Sequence, residues 1–185
     1  MKGLRLPRLG RKGAKPPAII GDPTIRTETF DDVAPIRALL ERAFTDHPHS
    51  DGSEPAIVDA LRADGDLALS LVAASSRGIV GHIAFSPATL STGEDGWFTL
   101  GPIAVEPEFQ KMGVGRSLMR EGLARMRKEG AAGVLLVGDP DYYRQFGFKA
   151  DTSLSIDGEM DAYLQALAFR GKVPEARVSF APAFS

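Results

Sequence analysis

Hydrophobic and polar positions recur along this chain with two periods, two for strands and about 3.6 for helices, and the changes between them mark out its elements. Thr24–Thr29 (T-I-R-T-E-T) alternates and predicts a strand. Asp31-Asp32 then opens a helix, with Pro35 tolerated in its first turn and Ile36, Leu39, Leu40 and Ala43 on the buried face. A polar stretch, T-D-H-P-H-S-D-G-S, separates it from a second helix capped by Ser53, with Ile57, Val58 and Leu61 at helical spacing. Three strand-like runs follow, Leu67–Ala74, Ile79–Leu90 and Trp97–Val105, joined by short Ser/Thr/Gly-rich links that suit hairpins. An antiparallel meander is the economical arrangement. Gly101-Pro102 interrupts the third run; proline removes a ladder donor and glycine adds no side chain, so a bulge or a splayed edge is expected there.

The next helix, about Gly115–Lys128, turns Val114, Leu118, Met119, Leu123 and Met126 inward and Arg116, Arg120, Arg127 and Lys128 outward, with Gly130 placed to end it. Gly133–Val137 reads as a short buried strand. Gly138-Asp139-Pro140 leads into a short helix, D-Y-Y-R-Q-F, and Gly147-Phe148 turns the chain toward a last pair of strands. By periodicity alone Tyr163–Phe169 is helix or strand; Arg177–Phe180 reads as a strand.

With 185 residues, 43% of them hydrophobic and 25% charged, the composition is that of a globular chain able to bury a sizeable core. One domain over residues 24–185 is expected, behind a basic tail over residues 1–23. With no cysteine, disulfides, thiolate zinc sites and cysteine nucleophiles are excluded. The three histidines (His47, His49, His82) are scattered, and no metal site is expected. The net charge of −2 hides an asymmetry: residues 1–15 hold six basic side chains and no acidic one, leaving 16 basic against 24 acidic residues, a net of −8, in the rest. The Gly- and Pro-rich tail has no apolar face to bury and is expected to be disordered. Solvation is its commoner role, and weak nucleic-acid binding through the tail the sharper one. No stretch of about 18 consecutive apolar residues occurs, so no membrane partner is expected and the localisation reads as cytoplasmic.

The chemistry is concentrated in Leu100–Gly115, L-G-P-I-A-V-E-P-E-F-Q-K-M-G-V-G, followed at once by a helix. A strand that delivers a glycine-spaced loop to a helix N-terminus is a device for holding phosphate: backbone N–H groups turn toward one point, and the helix dipole adds partial positive charge. Two templates fail. A dinucleotide fingerprint needs a third glycine where Leu118 stands, and a Walker loop needs a further glycine before Gly115-Arg116-Ser117.

Gln110-Lys111-Met112-Gly113-Val114-Gly115 resembles the Q/R-x-x-G-x-G/A acyl-CoA loop of the GNAT superfamily of N-acyltransferases, and Tyr143-Arg144-Gln145-Phe146-Gly147-Phe148 resembles that family's second hallmark, Tyr-x-x-φ-Gly-Phe, where φ is apolar. The resemblance tightens toward a small bacterial branch through Val80–Pro87 (V-G-H-I-x-F-S-P), L-G-P-I-A-V-x-P, G-D-P-x-Y-Y-x-x-F-G-F over Gly138–Phe148, and a terminal P-A-F at Pro182–Phe184. It implies an α/β (α+β) GNAT fold: a mixed, mostly antiparallel sheet of about six to seven strands, flanked by about four helices and splayed at the acyl-CoA cleft. Tyr163–Phe169 is a strand in that branch.

The resemblance further implies acetyl-CoA as co-substrate, an amine acceptor (small molecule, peptide or protein) and direct attack in a ternary complex, with a homodimer an option. A non-catalytic acyl-CoA sensor is the alternative. Carried over by position, the pyrophosphate falls to Lys111, Met112, Gly113, Val114, Gly115, Arg116 and Ser117, with Gln110 supporting the loop. The pantetheine arm falls beside Ile103, Ala104 and Val105, and Tyr143 becomes the general acid to the leaving thiolate. Candidate bases are Glu54, Glu106, His47, His49, His82 and Asp139, with Glu106 and His82 ranked first.

Overall fold

The computed structural model describes residues 23–45, 50–150, 153–156 and 158–185; residues 1–22 of the basic tail, His47 and His49 lie outside the described residues. The chain opens with β1 (Thr24–Thr27) and a 3-10 turn at Phe30–Asp32 that precedes α1 (Val33–Phe44). That turn is fixed by Asp32, whose carboxylate accepts from the Thr29 N–H (2.8 Å) and hydroxyl (2.9 Å) and binds Arg26 through both oxygens. These bonds hold the Asp32 carboxyl well below the usual carboxylate range, the Arg26 guanidinium being the largest cause.

Helix α2 (Glu54–Asp64) ends on Gly65, which takes a left-handed φ of 79°. Ser53 stands at its N-cap position but makes no capping bond: its backbone is helical instead of extended, and Pro55 removes one of the donors a cap would serve. Ser50 instead donates to Glu54 Oε2 at 2.8 Å.

The meander forms as β2 (Leu69–Ser75), β3 (Gly78–Pro87) and β5 (Trp97–Val105). The run expected as one strand over Ile79–Leu90 is broken after Pro87, and its end becomes β4 (Thr89–Leu90) in a second sheet. Helix α3 (Val114–Lys128), β6 (Gly133–Val137) and α4 (Pro140–Tyr143) follow. The short helix expected over D-Y-Y-R-Q-F divides into α4 and a 3-10 turn, Arg144–Phe146, that Gly147 ends at φ 93°. The chain finishes with β7 (Leu154–Ser155), β8 (Leu164–Ala168) and β9 (Ala176–Ser179).

The main sheet has six strands in the order β1-β2-β3-β5-β6-β8, all antiparallel neighbours except β5 and β6; the second has three, β4-β9-β7. One face of the main sheet packs Leu71, Ile83, Phe85 and Leu100 against Leu118, Met119 and Leu123 of α3. The other packs Val72 and Ala104 against Ile36, Leu39, Leu40 and Val58 of α1 and α2. A third cluster, including Trp97, Leu135 and Leu164, lies between the two sheets.

Close approach of α3 to the sheet depends on Gly122. A Cβ there would stand 2.7 Å from two ring carbons of the fully buried Phe85. Helix propensity alone favours Gly122→Ala by about 1 kcal/mol, but overpacking typically costs about 1–3 kcal/mol. The clash wins, so Gly122→Ala is expected to lower Tm by roughly 3 °C or more in a thermal melt. A rise in Tm would show that the ring yields freely.

Two irregularities open the sheet. Leu100 pairs with Phe85 and Ile103 with Ile83, so Gly101 and Pro102, joined by a cis peptide, together face Ala84 as a bulge. Strand β5 pairs with β6 only at Trp97↔Gly133, Phe98↔Val134 and Thr99↔Leu135, while β6 stays on β8 through Val137↔Leu164. Beyond Thr99 the two strands part, and the backbone edge of β5 from Leu100 to Val105 faces an opening.

Candidate active site

The loop after β5 is braced from below and twisted from within. Gln110 Nε2 donates to the Val105 carbonyl at 3.3 Å, tying the loop to the strand that delivers it. Lys111 (φ 62°) and Gly113 (φ 89°) both take left-handed backbone, a cost that only glycine escapes. Backbone of this kind can bring successive amides to face one point, here beside the start of α3, whose first N–H groups have no partner within a helix.

Strand, loop and helix together wall a cavity of about 480 Å³. Ile103 and Val105 line it from β5, Gln110, Lys111 and Gly113 from the loop, and Gly115 and Arg116 from α3. Phe109, Tyr142 and Gln145 complete it. Neither Lys111 nor Arg116 has a carboxylate partner among the described residues. Ala104 turns the other way, into the α1–α2 core. Met112, 64% exposed, and Ser117 line a second cavity of about 210 Å³ on the far flank of the loop, with Ile25 and Ala73, while Val114 reaches both that cavity and the core.

The two tyrosines of α4 divide the space beside the opening. Tyr142 lies over the cavity with its hydroxyl 3.5 Å from where a Cβ on Gly115 would stand. Tyr143 packs inward: its ring meets Gly138 so closely that a Cβ there would be 2.5 Å from Cε2, and it stands edge-on to Tyr142 (4.9 Å) and Phe148 (6.0 Å). Burial, then Tyr142 and the Asp139 charge, pushes the Tyr143 phenol up to about 12. Its hydroxyl has no hydrogen-bond partner among the described residues.

Neither base candidate ranked first lines the cavity. Glu106 has both carboxylate oxygens bound by Arg42 of α1, at 2.8–3.2 Å. His82 is fully buried on the α1–α2 side, because Gly81 and Ile83 occupy the face toward α3. Its Nε2 lies 2.9 Å from Ser70 Oγ; Ser70 donates to Glu28, which also binds Arg62. This chain of donors assigns the proton to Nε2 and leaves Nδ1 as a buried acceptor with no partner among the described residues. Of the other candidates, Asp139 caps α4 by accepting from the Asp141 N–H (2.9 Å), and Glu54 accepts from Ser50.

Gln165 escaped the sequence reading. It is a fully buried amide on β8 whose Nε2 donates to the Gly138 carbonyl at 2.9 Å and whose Oε1 has no partner among the described residues. The available signal was one polar residue inside the apolar run Y-L-Q-A-L-A-F. Among the described residues no cluster of metal-ligating side chains forms, and no helix is long and apolar enough to cross a membrane.

Residues 24–150 match the sequence profile of a family described as acetyltransferase (GNAT) domain. The uncharacterized N-acetyltransferase YhbS of Escherichia coli K12 is 39% identical over 126 residues, which cover 68% of this chain and 72% of that protein. Among solved structures, a GNAT family acetyltransferase from Brucella melitensis in complex with acetyl-CoA superposes with a TM-score of 0.79 at 45% identity, covering 88% of this chain and 97% of the other. The Escherichia coli YhbS structure in complex with CoA superposes with a TM-score of 0.78 at 32% identity, covering 92% and 95%.

Proposed function

Because this chain belongs to the GNAT acetyltransferase family, we propose that it transfers the acetyl group of acetyl-CoA to a primary amine by direct attack in a ternary complex. One observation carries the reading: the unpaired edge of β5, the left-handed loop at Lys111–Gly113 and the start of α3 converge on a single cavity. The solved relatives in complex with acetyl-CoA and CoA support the same ligand here.

The pyrophosphate is assigned to backbone amides between Lys111 and Arg116, with the two unpaired cations neutralising it. Met112 and Ser117 serve through their backbone, since their side chains line the far flank. Pantetheine takes the place of a strand beside Ile103–Val105, and free N–H groups on that edge polarise the thioester carbonyl as it becomes an oxyanion. The amine nitrogen attacks the carbonyl carbon and the C–S bond breaks. Tyr143 donates a hydrogen bond to the leaving sulfur, and the proton lost from the amine departs through water. The net charge of −8 over residues 16–185 favours a cationic amine.

Free CoA release from acetyl-CoA, measured across a panel of amines, tests this reading; tight acetyl-CoA binding with no turnover on any amine would replace it with a sensor. Lys111→Ala and Arg116→Ala are each expected to weaken acetyl-CoA binding about 3- to 10-fold at low salt, with a smaller loss as salt screens the phosphates. Calorimetric titration at two salt concentrations checks both. An unchanged affinity would remove these cations from the site.

A further inference from the structure

The Tyr143 hydroxyl makes no hydrogen bond among the described residues, where packing positions its ring. Its ring rests on Gly138, the first residue beyond β6, at the point where that strand has left β5. Gly138 is held twice: its N–H donates to the Tyr163 carbonyl (3.0 Å), and its carbonyl accepts from Gln165 Nε2 (2.9 Å). The same NH₂ group lies 3.5 Å from the Tyr163 carbonyl. Two carbonyls on one side require the amide nitrogen there, which settles the orientation of Gln165 and leaves its Oε1 buried with no partner among the described residues.

Gln165 lies opposite Leu136 on the sheet face that carries α3, fully buried in a strand whose other inward positions are apolar. A leucine would serve packing there better than an amide, because the amide brings an unsatisfied acceptor with it. What the amide adds is a fixed course for the chain from β6 into α4. We propose that Gln165 is a positioning residue for the reaction: through the Gly138 carbonyl it sets the floor on which the Tyr143 ring lies, and so the position of the phenol. The inference rests on the reading of Tyr143 as donor to the leaving sulfur.

The test is a double-mutant cycle of Gln165→Leu and Tyr143→Phe, followed as CoA release from acetyl-CoA with spermidine as the amine probe, or with water as acceptor if spermidine is not used. Gln165→Leu is expected to lower kcat about 10-fold with KM for acetyl-CoA within about 2-fold, and to cost less than about 2-fold more when Tyr143 is already phenylalanine. An equal loss in both backgrounds, or an unchanged kcat, overturns the proposal. If Gln165→Leu does not fold by circular dichroism, Gln165→Met, which keeps the length of the side chain, takes its place in the cycle. A silent Tyr143→Phe would instead remove the reading beneath it; a damaging Tyr143→Phe beside a silent Gln165→Leu removes this inference alone.

Discussion

Tyr143→Phe is expected to lower kcat about a hundredfold, the low end of what a positioned proton donor contributes, while Tm and acetyl-CoA affinity stay close to those of the parent. The fold is spared because the hydroxyl bonds to no described residue, and the ring contacts with Gly138 and Phe148 survive the change. The magnitude follows from acidity. A phenol pushed up to about 12 is a weaker acid than a thiol near 8.5, so full proton transfer to the departing sulfur is uphill. Under the proposed reaction, what Tyr143 supplies is a hydrogen bond that strengthens as negative charge gathers on sulfur, after which water delivers the proton. The same value has a pH corollary: Tyr143 keeps its proton across the working range, so no alkaline fall in kcat below about pH 11 belongs to it. Steady-state CoA release from pH 6 to 10 reads both effects. A kcat within twofold of the parent would move attention to Tyr142, whose hydroxyl reaches across the cavity to Gly115.

Acidification is expected to destabilise the fold before it affects the carboxylates, through His82. Burial lowers its pKa from 6.5 to about 4; the Glu28 charge opposes the shift and Arg62 adds to it. Above pH 6.5 neither the folded nor the unfolded chain protonates this ring, and stability is whole. As pH falls, the unfolded chain takes the proton first, so stability declines from pH 6.5 down to about 4 and stays lost below. The loss is on the order of 3 kcal/mol. Glu28 acts later: burial raises its pKa, but the bonds from Arg62 and Ser70 together outweigh that and hold it below the usual value, so its contribution disappears only at more acid pH. Urea unfolding at pH 7.5 and 4.5 measures the decline, and His82→Gln, which keeps a donor toward Ser70 without titrating, should flatten it. An equal slope in parent and variant would exclude His82 as the source.

Much of the fold could be read from local pattern. The helix faces of α1 and α3, the meander, the loop at Gln110–Gly115 and the irregularity at Gly101-Pro102 each announce themselves within a few residues. The strand at Leu164–Ala168 did not, since its apolar run suits either period; the family resemblance decided it. What escaped depends on pairings far apart in sequence. Alternation along β3 separates His82 from Gly81 and Ile83, but only the packing of α3 tells which set faces the core beneath the cleft. Arg42 reaches Glu106 across 64 positions, and Gln165 reaches Gly138 across 27; neither bond leaves a local trace. The division of labour between Tyr142 and Tyr143 depends likewise on Gly138 and Gly115, which come from different elements.

A paired sheet is a wall between the two layers that cover it, and here β5 and β6 leave a doorway after their third paired position. The loop at Gln110–Gly115 and α4 stand on one side of that doorway, α1 and α2 on the other. In the reaction proposed above, a thioester held in the gap is therefore reachable from the layer that does not hold its phosphates. Under the proposed reaction the two substrates need no common entrance, and recognition of each is written into a different layer. On that reading, substitutions in α1, α2 or the turn at Pro182–Phe184 are expected to exchange one acceptor for another while the Gln110–Arg116 loop keeps its donor, which would separate specificity from energy source in a single small fold.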